Sequence, residues 1–163
     1  MIFLITGPKN SGKTLFTKNF YAELTELGVS AAGIATEADF IDGKKTLYRV
    51  LSLRTGKSVK LLEINNGPQP DRAGFDFADQ VLGKAQNFRV IFVDEFGPLE
   101  AAGGGYAGRV LALSRNHDMI ITVRPSLAEQ AREIFAHAQC EILSLESSGA
   151  REIAERIKKC LLK

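Results

Sequence analysis

The stretch that decides the fold is Gly7-Pro8-Lys9-Asn10-Ser11-Gly12-Lys13-Thr14, which fits the phosphate-loop pattern G-x-x-x-x-G-K-[ST]. It directly follows the apolar run at residues 2–5, which is typical of a buried strand, and it precedes a predicted helix. A loop in this position can turn successive backbone N–H groups inward, so that these groups and the positive helix end hold a polyphosphate. The sequence therefore predicts a nucleotide site formed by this loop and the next residue, Leu15.

Two side chains of the loop have predicted roles at the phosphates. Lys13 is expected to neutralise β- and γ-phosphate oxygens. The Thr14 hydroxyl is expected to bind Mg²⁺, the predicted cofactor, because this hard cation prefers oxygen ligands and often shares substrate phosphates with the protein. The alternative is a glycine-rich turn that only joins a strand to a helix. Four fixed positions in a strand-loop-helix context disfavour that alternative.

The composition indicates one ordinary folded domain over residues 1–163. A chain of 163 residues can enclose one well-buried core but is short for two domains. Its hydrophobic content of 45% and charged content of 25% are typical of globular proteins. The net charge of +2 gives no indication of a nucleic-acid or membrane partner.

Simple sequence patterns also predict the cellular location of the protein and the roles of its cysteines and histidines. The first residues run straight into a predicted strand, and no apolar run is long enough to span a bilayer, so a cytoplasmic location is expected. Cys140 and Cys160 lack a CxxC spacing, which favours reduced structural thiols over a disulfide or a zinc site. His117 and His137 are isolated and are not predicted to bind metal.

The rest of the sequence alternates predicted strands and helices, with one interruption. Strands are predicted at residues 2–5, 29–36, 90–93, 119–123 and 140–145. Helices are predicted at residues 15–27, 75–85, 106–113, 127–138 with Ser126 as its cap, and 150–162. Residues 47–54 and 59–64 are predicted to form a β-hairpin entered through the turn at Asp42-Gly43, and residues 65–74 a loop. This order predicts an α/β fold with a mostly parallel sheet, helices on both faces and a β-hairpin insertion.

Two carboxylates follow the predicted strand at residues 90–93. Asp94 and Glu95 occupy the position of a Walker B acid pair in a phosphate-loop enzyme. Asp94 is expected to hold Mg²⁺, through a water, and Glu95 to orient and deprotonate the attacking water. The alternative is that the pair only solubilises a strand end. The phosphate loop elsewhere in the chain disfavours that alternative.

The end of the predicted strand at residues 119–123 supplies a further candidate. A glutamate directly after the Walker B aspartate resembles the hydrolytic branch of phosphate-loop proteins, in which an additional strand separates the loop strand from the Walker B strand. Residues 119–123 would be that strand, which places Thr122 or Arg124 at a sensor position. Arg124 could add positive charge to the transferring phosphoryl group. A solvated surface arginine is an equal alternative. No N-K-x-D motif follows, so weak base selectivity is expected.

Residues 93–100 (VDEFGPLE), taken with the phosphate loop, resemble the thermophile-type nucleoside triphosphatases, the family that includes the cancer-related nucleoside triphosphatase. The segment at residues 32–37 (AGIATE) is similar as well, and the resemblance spans residue 1 to about residue 135. It implies a compact three-layer, RecA-like P-loop NTPase domain. It also implies slow, Mg²⁺-dependent hydrolysis of several nucleoside triphosphates to the diphosphate and phosphate. The chain departs from the family at Phe96, at Pro98-Leu99 and in the glycines at residues 103–105.

Glu100 matches a second acid of this family. One hypothesis makes Glu100 a second water-positioning acid and residues 103–105 a mobile segment that closes over the nucleotide. The alternative makes Glu100 an N-terminal helix charge and the glycines a plain loop.

The leading interpretation is a Mg²⁺-dependent NTPase that binds ATP, GTP and other triphosphates. Arg124 in cis, or Arg109 from a neighbouring copy, is the candidate cation for the transition state, and a monomer or weak homo-oligomer is expected. A nucleotide or small-molecule kinase is the second interpretation, with Arg49 and Arg54 on the hairpin. These two arginines are an odd number of positions apart and would point to opposite faces of a regular strand. A third interpretation is a nucleotide-switched adaptor protein.

Overall fold

The structure is a computed structural model that describes residues 1–64 and 67–163. Within these residues, one eight-stranded sheet packs between helices. The strands are β1 (Ile2–Thr6), β2 (Ala31–Ile41), β3 (Lys44–Ser52), β4 (Ser58–Ile64), β5 (Pro68–Pro70), β6 (Val90–Phe96), β7 (Asp118–Val123) and β8 (Cys140–Ser144). The helices are α1 (Lys13–Glu26), α2 (Arg72–Lys84), α3 (Pro98–Ala101), α4 (Ala107–Leu113), α5 (Ala128–Ile134) and α6 (Gly149–Leu161).

The strand order confirms the predicted RecA-like arrangement. Across the sheet the order is β5-β4-β3-β2-β6-β7-β1-β8. Five adjacent strands run parallel to one another, in the order β2-β6-β7-β1-β8. Strands β3, β4 and β5 extend the sheet beyond β2 by antiparallel pairing. Strand β7 lies between β1 and β6, with Ile121 opposite Leu4 on one side and Val93 on the other. The carboxyl ends of these three strands therefore meet at one edge of the sheet.

The side chains of the central strands alternate between two cores. Ile2 and Leu4 of β1 pack with the core under α2, α4 and α5, whereas Phe3 and Ile5 pack with the core under α1 and α6. This alternation follows from the two-residue period of a strand. Every residue of β1 is buried, because helices cover both faces of the sheet. The predicted three-layer α/β fold is confirmed.

The hairpin region is larger than the sequence predicts. Strand β2 pairs with β6 only from Ala31 to Ile34 and then continues as one arm of an antiparallel hairpin with β3. Asp42 and Gly43 make the turn, with positive φ angles of 49° and 72°, as tight hairpin turns require. The predicted end of this strand at residue 36 is therefore wrong by five residues, since the structure extends it to Ile41. The added length brings residues 37–40 to a cleft at the edge of the sheet.

Three local predictions are also wrong. Pro68–Pro70, within the segment predicted as a loop, pairs with β4 as an edge strand, and α2 begins at Arg72. Asn65 and Asn66, in the same predicted loop, lie outside the described residues. Ser126 does not cap α5, which starts at Ala128 after a 3₁₀ turn. The short helix α3 was not predicted. No helix among residues 1–64 and 67–163 is long and apolar enough to cross a lipid bilayer.

Candidate active site

A cleft of about 490 Å³ opens at the carboxyl edge of β1, β6 and β7. Most of the predicted site residues line it, namely Lys9, Asn10, Gly12, Lys13, Thr14, Asp94, Glu95 and Arg124. Gly7 and Pro8 do not line it, but their carbonyl oxygens accept hydrogen bonds from Lys13. Ser11 and Leu15 face a separate groove of about 550 Å³ between α1 and α6. Glu100 does not line the cleft. The fold thus brings the loop and the acid pair together, as the sequence predicts.

The phosphate loop is held closed by its own lysine. The Lys13 ammonium group donates hydrogen bonds to the carbonyl oxygens of Gly7 and Pro8, at 2.6 and 2.7 Å. Gly12 precedes α1 with a φ of 88°, a left-handed conformation that a glycine adopts without steric cost. Burial lowers the pKa of Lys13, and the nearby carboxylates of Glu95 and Asp94 oppose that shift. The ammonium group therefore stands at the start of the helix, where a polyphosphate would bind.

Asp94 is fixed by donors from three different elements. Its Oδ2 accepts a hydrogen bond from the Thr14 hydroxyl of α1 at 2.7 Å and from the Thr36 N–H of β2 at 3.0 Å. Its Oδ1 accepts one from the Thr122 hydroxyl of β7 at 2.6 Å. Only 1% of Asp94 is exposed. Burial raises the pKa of its carboxyl group, and these three hydrogen bonds oppose the rise.

Thr14 and Asp94 together fit the donor set that Mg²⁺ prefers. Both offer hard oxygen atoms, and these atoms lie 2.7 Å apart. Among the residues that the structure describes, no group of three or more His, Cys, Asp and Glu side chains could hold a metal ion. A cation at Thr14 and Asp94 would therefore complete its coordination with phosphate oxygens and water, as Mg²⁺ commonly does.

Glu95 sits on a backbone bulge at the end of β6. The β6–β7 register shifts between Val93 and Phe96, and Glu95 adopts a left-handed φ of 64°. This conformation costs a non-glycine residue on the order of 1 kcal/mol. Two hydrogen bonds hold it: the Glu95 N–H donates to the Thr122 hydroxyl at 2.7 Å, and the Glu95 carbonyl accepts from Tyr106 at 2.9 Å. The bulge places the Glu95 carboxylate beside the cleft.

Arg124 follows β7 and pairs with this carboxylate. One guanidinium nitrogen donates to Glu95 Oε1 at 2.7 Å, and the arginine side chain is 52% exposed. Ion pairs this exposed contribute about 1 kcal/mol or less. Arg124 is therefore in the cleft but is weakly held there.

Glu100 occupies a different environment. Its Oε2 accepts a hydrogen bond from the Gly97 N–H at 3.1 Å, at the start of α3. Burial raises the pKa of its carboxyl group. A Cβ atom at Gly105 would lie 2.3 Å from Glu100 Oε1, and the φ of Gly105 is 55°, so a larger residue there would be strained and would displace the Glu100 side chain. Glu100 thus joins the α3 start to the glycine segment at residues 103–105, and none of those glycines lines the cleft.

The β2–β3 hairpin adds residues that the sequence interpretation did not identify. Lys45 donates a hydrogen bond to Asn10 Oδ1 of the phosphate loop at 3.0 Å, and its ammonium group lies 5.6 Å from the centre of the Tyr48 ring. Thr36, Lys45 and Tyr48 all line the cleft. The sequence signal was the Asp42-Gly43 turn followed by two lysines, but their position over the loop depends on the length of the hairpin.

The other arginines named from the sequence are engaged elsewhere. Arg49 pairs with Asp39 at 2.9 Å, and Arg54 stacks on the Phe88 ring at 6.0 Å. Arg109 makes two hydrogen bonds to Asp79, at 3.0 and 2.8 Å. None of the three lines the cleft.

Comparison with known proteins finds a matching family model, a related sequence and two similar solved structures, all of nucleoside triphosphatases. A family model described as NTPase matches residues 2–158. Nucleoside-triphosphatase THEP1 of Pyrococcus abyssi (strain GE5 / Orsay) is 27% identical over 143 residues, which cover 82% of this chain and 80% of that protein. The solution structure of a human cancer-related nucleoside triphosphatase superposes with a TM-score of 0.76 at 20% identity, covering 98% of this chain and 96% of that one. The crystal structure of THEP1 from the hyperthermophile Aquifex aeolicus gives a TM-score of 0.76 at 22% identity and covers both chains fully. At these identities the two structures show a shared fold.

Proposed function

This chain belongs to the NTPase family, and we propose that it hydrolyses nucleoside triphosphates to the diphosphate and phosphate with Mg²⁺, slowly and with broad tolerance of the base. One observation carries the proposal. The Thr14 hydroxyl of the phosphate loop and the Asp94 carboxylate of the Walker B strand are in direct contact at 2.7 Å. This contact supports the assignment of the two segments to one phosphoryl-transfer site.

Five polar side chains of the cleft have a defined task in this proposal: Lys13, Thr14, Asp94, Glu95 and Arg124. Lys13 exchanges its two carbonyl partners for oxygens of the β- and γ-phosphates. Bound Mg²⁺ would supply neutralisation of the phosphate charge at Thr14 and Asp94. Glu95 orients a water and accepts its proton on Oε2, since Oε1 is occupied by Arg124. Arg124 directs positive charge at the phosphoryl group.

The weak attachment of Arg124 supports slow turnover. A well-placed arginine contributes about 10³ to 10⁵ in rate in related phosphoryl-transfer systems. Here the guanidinium group is half exposed and paired with the base Glu95. An arginine that must be reoriented after each binding event gives less stabilisation than a fixed one.

The groove between α1 and α6 supports broad base tolerance. The groove extends from the phosphate loop. Its wall has apolar parts formed by Leu145 and by Leu15, which is 62% exposed. Apolar surfaces contact the face of any base and discriminate poorly between hydrogen-bonding edges. We therefore assign Leu15 to contact with the nucleoside.

The experiment measures phosphate release from ATP, GTP, CTP and UTP, with Mg²⁺ or with EDTA. The proposal predicts similar release from all four with Mg²⁺ and almost none with EDTA. The same panel on Glu95→Gln should show loss of release, whereas Glu129→Gln, an exposed matched change on α5, should behave as the parent. Strong preference for one base would contradict the broad base tolerance. Phosphate release that survives EDTA would contradict the dependence on Mg²⁺.

The alternatives receive less support. Arg49 and Arg54 are engaged outside the cleft, so these two arginines do not support the acceptor role that the kinase interpretation gave them. A nucleotide-switched adaptor, a cytoplasmic location and a monomeric or weakly oligomeric state stay predictions.

A further inference from the structure

An apolar pocket of about 390 Å³ adjoins the nucleotide cleft. This volume lies in the usual range of small-molecule sites. Its apolar walls come from β4, the β5 strand, α2 and α3, namely Leu61, Leu62, Pro68, Pro70, Phe75 and Leu99. Four residues line both cavities: Thr36, Tyr48, Glu95 and Arg124. The two cavities therefore meet at the proposed base and its arginine partner.

The pocket borders Glu95, the proposed base of the phosphoryl transfer. In phosphoryl transfer the attacking and leaving oxygens are roughly in line with the phosphorus atom. The phosphate loop and Lys13 would hold the leaving diphosphate, and Glu95 lines both the cleft and the apolar pocket. A molecule in this pocket would therefore lie next to Glu95, which could accept the proton of its hydroxyl group.

The charges at the junction favour a neutral hydroxyl group. Glu95 and Arg124 form an ion pair at 2.7 Å, so the polar end of the pocket carries no net charge from these two groups. A hydroxyl can donate to the carboxylate and accept from the guanidinium group without bringing an unpaired charge into apolar surroundings.

The same pocket disfavours a nucleotide as the acceptor. Arg124 is the one cationic side chain among the described residues that line it, and it is already paired. The lining also includes the carboxyl group of Glu100. A nucleoside monophosphate would have to bring its dianionic phosphate into a pocket lined by Glu95 and Glu100, with no cation other than the paired Arg124.

We propose that this apolar pocket is an acceptor site for a small neutral alcohol or phenol, whose phosphorylation competes with hydrolysis. The inference rests on the proposed function. In this step the alcohol oxygen forms a bond to the γ-phosphorus, and the alcohol proton passes to the Glu95 carboxylate. The bond between the γ-phosphorus and the bridging oxygen breaks, and its electron pair leaves with the nucleoside diphosphate.

The test measures ADP and phosphate separately while benzyl alcohol is titrated into the full chain with ATP and Mg²⁺. We expect ADP to exceed phosphate increasingly, with the difference recovered as benzyl phosphate by ³¹P NMR. Benzyl methyl ether, which lacks the hydroxyl, and AMP should give no excess. Equal amounts of ADP and phosphate at every concentration would overturn the proposal, and so would inhibition of phosphate release without benzyl phosphate. Loss of phosphate release without alcohol would instead refute the proposed function.

Variants of the pocket wall locate the site. Leu99→Ser and Leu62→Ser each remove an apolar contact outside the catalytic groups, and Leu99 is 45% exposed, which limits the effect on folding. Each should lower benzyl phosphate formation about tenfold, as expected for the loss of one to two methylene contacts. Phosphate release without alcohol should stay within about twofold. Leu27→Ser, at a similarly exposed leucine after α1, should change neither product. Unchanged benzyl phosphate formation in both pocket variants would overturn the assignment.

Discussion

Replacing Thr122 with valine removes one buried hydroxyl that makes two hydrogen bonds in the site. The hydroxyl donates to Asp94 Oδ1 at 2.6 Å and accepts from the Glu95 N–H at 2.7 Å. Valine keeps the shape, so the change leaves the N–H and the carboxylate oxygen each short of a partner. Buried groups left unpaired cost about 1–3 kcal/mol each, so the two together predict a loss of roughly 2–6 kcal/mol in the free energy of unfolding at pH 7.

The same variant should alter how stability depends on pH. Burial already raises the pKa of Asp94 above its ordinary value of 3.8, and the Thr122 hydrogen bond opposes the rise. Because its pKa is raised in the folded state, Asp94 keeps its proton in the folded protein at pH values above 3.8, at which the unfolded chain has lost it. Stability therefore falls as pH rises from about 4 through the folded pKa. Removing the hydroxyl raises the pKa further, so the fall should be larger in Thr122→Val.

Urea denaturation at pH 5 and pH 7 measures both effects. Thr122→Ser retains the hydroxyl and should recover most of the lost free energy, although it loses a methyl group. Thr25→Val, whose exposed hydroxyl bonds only within α1, should change stability by less than about 0.5 kcal/mol. If Thr122→Val is as stable as the parent at both pH values, the hydroxyl does not hold Asp94 and Glu95 in place.

Variants at four further positions test the assigned roles. Lys13→Ala should weaken nucleotide binding roughly 10- to 100-fold by loss of charged hydrogen bonds, measured by calorimetry; unchanged affinity would contradict the phosphate role. Glu95→Gln should bind nucleotide normally but lose about 10²- to 10⁴-fold in kcat, and normal turnover would remove Glu95 as the base. Glu100→Ala should lose about 1–3 kcal/mol of stability, because it leaves the Gly97 N–H unpaired. Glu100→Gln keeps the acceptor oxygen and should retain kcat. A large loss of kcat in Glu100→Gln would indicate that Glu100 takes part directly in the reaction. Lys45→Ala should weaken binding a few-fold in low salt and less in high salt, because exposed charges are screened, and an effect independent of salt would contradict this account.

The core of the site could be predicted from sequence because local patterns determine it. Lys13 and Thr14 are fixed relative to the strand and helix on either side of them. Asp94 follows a fully apolar strand, and parallel strands end at a common edge. The position of residues 119–123 between these two strands came from resemblance to the hydrolytic branch, and the structure confirms it.

The unpredicted features depend on contacts that are distant in sequence. Strand β2 extends to Ile41 because it gains hydrogen bonds from β3, and this pairing carries Lys45 to the phosphate loop. Pro68 and Pro70 suggested a loop, since proline lacks an N–H donor, but an edge strand tolerates that loss. The four residues of α3 are too few to show helical periodicity.

The most direct test is a crystal structure of the chain with Mg²⁺ and a non-hydrolysable ATP analogue. The account predicts the β- and γ-phosphates within hydrogen-bonding distance of Lys13 and one cation beside Thr14 and Asp94, with Glu95 next to the γ-phosphate. A triphosphate bound away from Lys13, or a cation that contacts neither Thr14 nor the surroundings of Asp94, would contradict it.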